Sequence, residues 1–168
     1  MNIDEYISIV ETQENMLRFP CFNRKDAWEL GQFMVSRILS ENLKLSVSIR
    51  LTNGLIVFQY VPEGTTANNV NWMTRKFNVI CDLEISSLLN TLYLKKRNQT
   101  LQDRHLDPGK YAASGGGFPI HVSCTGIIGA IIVSGLPHVA DHGFIIGSLS
   151  SFLNIPDVPG IPEDAFQI

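Results

Sequence analysis

The stretch LSVSIRLTNGLIVFQYV, residues 45–61, limits the fold more than any other part of this chain. Leu45, Val47, Ile49 and Leu51 alternate with polar residues, the period of a half-buried strand. Asn53-Gly54 is the dipeptide of a type I′ turn, and Leu55–Val61 then runs back. An antiparallel hairpin is expected, and its sheet must be covered on at least one face. A second hairpin is expected at Phe118–Ser134, where FPIHVSC and IIGAIIVS flank Thr125-Gly126.

Helices account for most of the rest. Asp4–Leu17 reads as a first helix, with Ile7, Val10 and Glu14 too mixed for deep burial. Asn23 is placed to cap a second, in which Ala27, Leu30, Gly31, Met34, Val35, Ile38 and Leu39 share one face. Asn68 or Asn69 would cap a third, through VNWMTRKFNVICDLE. Met73, Phe77 and Ile80 face inward there, with Trp72 and Lys76 on an adjoining stripe. ISSLLNTLYLKKRN reads as helix, with strand in part as the alternative, and a long connection broken at Asp107-Pro108-Gly109 follows. Asp141 is expected to cap a last helix over about residues 141–153, and the proline-bearing residues 154–168 an extended tail. Residues 1–153 thus form one α+β domain, with both hairpins in a single antiparallel sheet flanked by helices. The strand–helix–parallel-strand alternation of a doubly wound fold is missing.

Composition narrows the partners. Only 17% of the 168 residues are charged, which favours a surface partly covered by another copy of the chain. The net charge of −3, with no basic cluster beyond Lys95-Lys96-Arg97, argues against nucleic acid. The longest apolar run, within GIIGAIIVSGL, is about half of the roughly 20 residues a bilayer span needs. MNIDEYISIVETQ has neither the basic nor the apolar part of a signal peptide, so a cytoplasmic protein is expected. Cys21, Cys81 and Cys124 are widely spaced and read as buried reduced thiols.

The segment Tyr111–Phe144 concentrates glycine and three of the four histidines. It contains neither GxxxxGK[ST] nor GxGxxG, which removes a phosphate-cradling loop. Two roles stay open for its glycines: turn geometry and packing, or close approach of a flat ligand. His138 and His142 are four apart, but Pro137 and Asp141 argue against a shared helical face. His142 in the first turn of the last helix would be held neutral and competent as a ligand. There is no GxSxG elbow. Trp72, Arg75 and Lys76 offer a stacking face and two cations for an anionic ligand, or simply a half-buried helix face.

FPCFNRKDAWELG, IRLTNGLIVFQYVPEGTTANNVNWMTRKFNV, LDPGKYAASGGGFPI and TGIIGAIIVSGLPHVADH, in this order, resemble uncharacterised protein family 0303. That family lies within the HbpS/GlcG-like group of haem-degrading-domain proteins, and the resemblance covers roughly Glu5–Leu153. It implies a profilin-like α+β fold, a homo-oligomeric ring or cage, and binding of haem or a related tetrapyrrole with weak oxidative degradation. Trp72, Arg75, Lys76, Tyr111, Ala112, Ala113, Gly115, Gly116, Phe118, Pro119, Ile120, Asp141 and His142 match the family's motifs. Ser114 stands where many members carry histidine, and NVICDLEISSLLNTLYL departs from the usual basic pattern.

Two functions follow as expectations. The first is an oligomeric binding protein for haem or a related tetrapyrrole, with His142 or His121 as iron ligand and Arg75 and Lys76 answering the propionates. Its ligand-binding residues would be Trp72, Arg75, Lys76, Tyr111, Gly115, Gly116, Phe118 and His142. They would meet where SGGGFP, the Trp72 helix and the start of the last helix converge. The second is a non-enzymatic oligomeric scaffold with no haem role.

Overall fold

The first hairpin's alternation becomes β1 (Ser46–Leu51) and β2 (Ile56–Tyr60), and the second hairpin becomes β3 (Gly117–Val122) and β4 (Gly126–Ser134). The computed structural model describes residues 1–162. β1 pairs antiparallel with β4 from Ser46 opposite Ser134 to Leu51 opposite Gly129. Both hairpins therefore lie in one four-stranded sheet, in the order β2-β1-β4-β3.

The first turn is not type I′. That turn needs positive φ at both central residues, and here only Gly54 has it, at +88°. The Gly54 N–H donates to the Leu51 carbonyl, making a three-residue loop with a glycine bulge. The pairing shifts register between Ile49 and Arg50 to absorb the extra residue.

Among the described residues there are five α-helices: α1 (Ile3–Met16), α2 (Arg24–Ser40), α3 (Ala67–Leu83), α4 (Ser87–Lys96) and α5 (His138–Phe152). The last four pack on the sheet, and the first packs on α4. Leu30, Met34 and Ile38 of α2 join Phe144, Ile145 and Leu149 of α5 against Val47, Ile49, Ile131 and Val133. On the opposite face Met73, Phe77 and Ile80 of α3 pack on Ala130 and Ile132. The two-residue period of β4 thus feeds alternate side chains to two separate apolar layers. Covering on both faces also buries Ser46, Ser48 and Arg50, the polar half of the β1 alternation.

Several sequence expectations change. Ile7 and Val10 are buried after all, because Leu88, Leu89 and Leu92 of α4 supply an apolar face that α1 alone does not reveal. ISSLLNTLYLKKRN is helical from Ser87 onward, with the Ser86 side chain accepting from the Leu89 N–H. Asn23 caps α2 as expected, but Leu39 points to solvent. Thr66, rather than Asn68 or Asn69, caps α3, and the Asn69 side chain returns the bond to the Thr66 N–H. α5 begins at His138 behind Pro137, so Asp141 lies inside the helix instead of capping it. All three thiols are free, and Cys21 and Cys124 are exposed rather than buried. Residues 153–162 carry no helix or strand, and the remainder of the expected tail, 163–168, lies outside the described residues. No helix among the described residues is long and apolar enough to cross a membrane.

Candidate ligand-binding cleft

Lys76 lies on the sheet-facing side of α3 and is 1% exposed. Its Nζ donates to Asp141 Oδ2 at 2.8 Å and to the Val133 carbonyl at 2.9 Å. Asp141 Oδ1 accepts from the Leu136 N–H at 2.9 Å, at the entry to α5. Burial dominates both partners. It pushes the Lys76 pKa down although Asp141 favours its charge, and the Asp141 pKa up although Lys76 favours its own. The mutual attraction and these hydrogen bonds hold the pair together inside the fold.

Gly116 makes room for this pair. It sits at φ +105°, and a Cβ there would meet Lys76 Nζ at 2.6 Å and Asp141 Cβ at 2.8 Å. A Cβ on Gly115 would strike the His138 carbonyl at 2.3 Å. At these two positions the missing side chain lets chain pack on chain.

Above the pair lies a cleft of about 280 Å³, lined by Asn68, Asn69, Trp72, Lys76, Ser114, Ser134, Gly135, Leu136, His138 and Asp141. The glycine-rich segment, α3 and the start of α5 do converge there. Asn69 Nδ2 donates to the carbonyl and hydroxyl of Ser134, at 3.4 and 3.3 Å. His138 Nδ1 accepts from the Gly115 N–H at 3.3 Å. Burial, with Lys76 and Lys95 nearby, lowers the His138 pKa and favours neutral imidazole. Trp72 stands partly exposed at the mouth, with the Arg75 guanidinium 3.8 Å from its ring centroid.

The other expected residues are elsewhere. Arg75 donates to the Pro108 carbonyl and lines a neighbouring groove with Lys110. The Tyr111 hydroxyl donates to Asp82. Phe118 is buried in the main core, with Ile120 beside it. His142 is 1% exposed, and its Nε2 lies 2.8 Å from Gln13 Oε1, away from the Trp72 cleft. His138 and His142 do occupy one helix a turn apart, because Pro137 sits at its start, where proline is tolerated. His121 lies in a separate groove with Glu11, Glu14, Arg18 and Glu84. Sequence reasoning did not place Asn69, Ser134 or His138 in this cleft, because they come from three elements and meet only through packing.

A haem iron held by an imidazole of this chain does not fit these residues. His138 accepts at Nδ1, which places its proton on Nε2 and leaves no ring lone pair for a metal. His142 Nε2 is taken by Gln13, and the small cleft that its ring lines has no cation to answer a propionate, while His121 sits among carboxylates that repel propionates. The charge of Lys76 is already answered by Asp141. No group of three His, Cys, Asp or Glu side chains among the described residues could hold a metal ion.

A family model described as "Haem degrading protein HbpS-like" matches residues 22–149. A UPF0303 protein of Yersinia enterocolitica is 36% identical over 157 residues, 93% of each chain. Another, from Rhizobium rhizogenes, is 39% identical over 150 residues, 89% of this chain and 92% of the relative. The solved structure of Ybr137w superposes with a TM-score of 0.81 at 24% identity, over 90% of each chain. HbpS gives 0.62 at 18% identity, covering 79% of this chain and 89% of that one. A PduOC:heme complex gives 0.65 at 16% identity, covering 78% and 94%. At these identities the solved structures establish a shared fold.

Proposed function

This chain belongs to the HbpS-like family, and from that premise we propose that it is a homo-oligomeric cytoplasmic binding protein for a planar, tetrapyrrole-class ligand. The ligand is held by stacking and hydrogen bonds at the Trp72 cleft, with no histidine of this chain on a metal. One observation carries this reading: a partly exposed indole at the mouth of a cleft floored by a buried Lys76–Asp141 pair. Burying two charges is a poor way to gain stability, whereas it does fix the groups around a binding site. Asn68, Asn69, Ser114 and Ser134 add hydrogen-bonding groups at the rim. The cleft is at the small end of the roughly 300–1,000 Å³ typical of ligand sites, so it takes the edge of a macrocycle.

The scaffold reading is favoured by a different observation, namely that Lys76, Asp141, Gly115 and Gly116 are all satisfied within the chain. Titration with haem and with metal-free protoporphyrin separates the two. In a Trp28→Phe background only Trp72 reports by fluorescence, since the chain has two tryptophans. Both ligands should quench it and bind within about threefold of each other, and Trp72→Ala, followed by the ligands' own visible absorbance, should weaken both by about 1–3 kcal/mol. A Soret band that His138→Ala shifts would refute the absence of a chain ligand. Uptake that never saturates would leave the scaffold. Sedimentation at micromolar concentration should give a species larger than the 18.7 kDa chain, and a monomer would refute the oligomer.

A further inference from the structure

Gln13 of α1 is 1% exposed and hydrogen-bonded at both ends of its amide. Its Nε2 donates to the Pro159 carbonyl at 2.6 Å, and its Oε1 lies 2.8 Å from His142 Nε2. A backbone carbonyl only accepts, so the amide NH₂ must face Pro159 and the amide oxygen must face His142. His142 therefore donates from Nε2. Burial, with His138 adding to it, lowers the His142 pKa to about 3, so the neutral ring carries that one proton. Nδ1 is then a bare lone pair. It is buried, and no hydrogen-bond partner reaches it among the described residues. An acceptor left in that state is destabilising until a donor arrives.

The same ring lines a cleft of about 310 Å³ between α1, α5 and the returning segment at residues 158–161. None of its lining residues is charged, and none is shared with the Trp72 cleft. Ile146, Val158 and Ile161 supply apolar walls. Gly143 leaves the α5 surface bare there, with no atom within 4 Å of where a Cβ would stand. An apolar cavity of about 150 Å³ holds benzene, so a space of this size admits a fused bicyclic ring.

We propose that this cleft binds a small neutral apolar molecule with one N–H or O–H donor, its body over Gly143 and its donor on His142 Nδ1. Charged ligands are excluded because no lining group answers a charge, and the neutral imidazole offers only a lone pair. The inference is independent of the tetrapyrrole reading.

Indole and benzothiophene test it, because they share a shape and differ in the N–H. Calorimetry on the full chain should show saturable one-to-one binding of indole, with benzothiophene about tenfold weaker, the worth of one hydrogen bond. The ¹⁵N resonance of His142 Nδ1 should move on adding indole. Gly143→Val fills the open space without left-handed strain, and should abolish indole binding while leaving the melting temperature unchanged or raised. Benzothiophene binding as tightly as indole would overturn the proposal. So would indole binding that Gly143→Val leaves intact, or no saturation at millimolar indole. Should Gly143→Val lower the melting temperature, the wild-type resonance decides alone, and a static Nδ1 signal overturns the assignment.

Discussion

Lys76→Met keeps most of the side chain's length and removes its charge, leaving Asp141 buried at the start of α5 without a counter-ion. The two side chains are 2% and 3% exposed, so water cannot replace the missing partner. Breaking a buried pair from one side is destabilising by about 3–5 kcal/mol. Asp141 retains its bond from the Leu136 N–H and can take up a proton, which places the expected loss near about 3 kcal/mol. Lys76→Met with Asp141→Leu removes both charges. It then forfeits the acceptor for the Leu136 and Gly135 N–H groups and the donor to Val133, about 1 kcal/mol each, offset by the desolvation no longer incurred. The double variant should lie within about 2 kcal/mol of wild type, and so be more stable than Lys76→Met alone. Urea unfolding at fixed protomer concentration measures all four corners of the cycle. pH adds an independent check. Without Lys76, the folded Asp141 binds its proton at higher pH than the unfolded one does. The deficit of Lys76→Met should therefore shrink as pH falls from that raised pKa toward the unfolded value of about 3.9. A single-variant loss below about 1 kcal/mol would refute the buried-charge reasoning. A double variant as unstable as the sum of its singles would refute it too.

The His142 pKa of about 3, against 6.5 when unperturbed, makes it an acid-sensitive element. Below pH 6.5 the unfolded chain takes up a proton that the folded chain refuses. Stability should fall by about 1.4 kcal/mol per pH unit from there down to about pH 3. His142→Gln should flatten this slope by about one proton in acid denaturation profiles, and an unchanged slope would contradict it. Leu30→Ala, at a wholly buried position, should be destabilising by about 2–5 kcal/mol in the same urea assay. Leu39→Ala, at a position 62% exposed on the same helix, should stay within about 0.5 kcal/mol of wild type.

Much of the architecture was legible because it is written in local periods. The alternation of Val47, Ile49 and Leu51, and the three-to-four-residue spacing of Leu30, Met34 and Ile38, each specify an element and its buried side. Asn23 specified a helix start through chemistry confined to three neighbouring residues. The α+β class followed, as did the union of both hairpins in one sheet. Where several local signals lay side by side, the structure departed from the expectation. Asn68 or Asn69 was expected to begin α3, but the cap is Thr66, because Asn69 three residues on completes a reciprocal cap with it. Asn53-Gly54 was expected to make a type I′ turn, but only Gly54 has positive φ and the pairing of β1 with β2 takes the bulged loop instead.

The candidate site was legible only in part, for a physical reason. Trp72, Lys76 and Asp141 do meet around one cleft, but His142, one residue beyond Asp141, turns about 100° further round α5 and faces Gln13. Sequence fixes that angular step within the helix. It does not fix which neighbour lies in each direction, because α1 and the segment around Pro159 arrive from opposite ends of the chain. The same packing decided which charges were used, joining Lys76 to Asp141 across 65 residues while Arg75, its neighbour, was left to stack on Trp72. Periods along the chain determine what each element can bury, and the docking of elements against one another determines which polar groups find partners and which are left to a ligand.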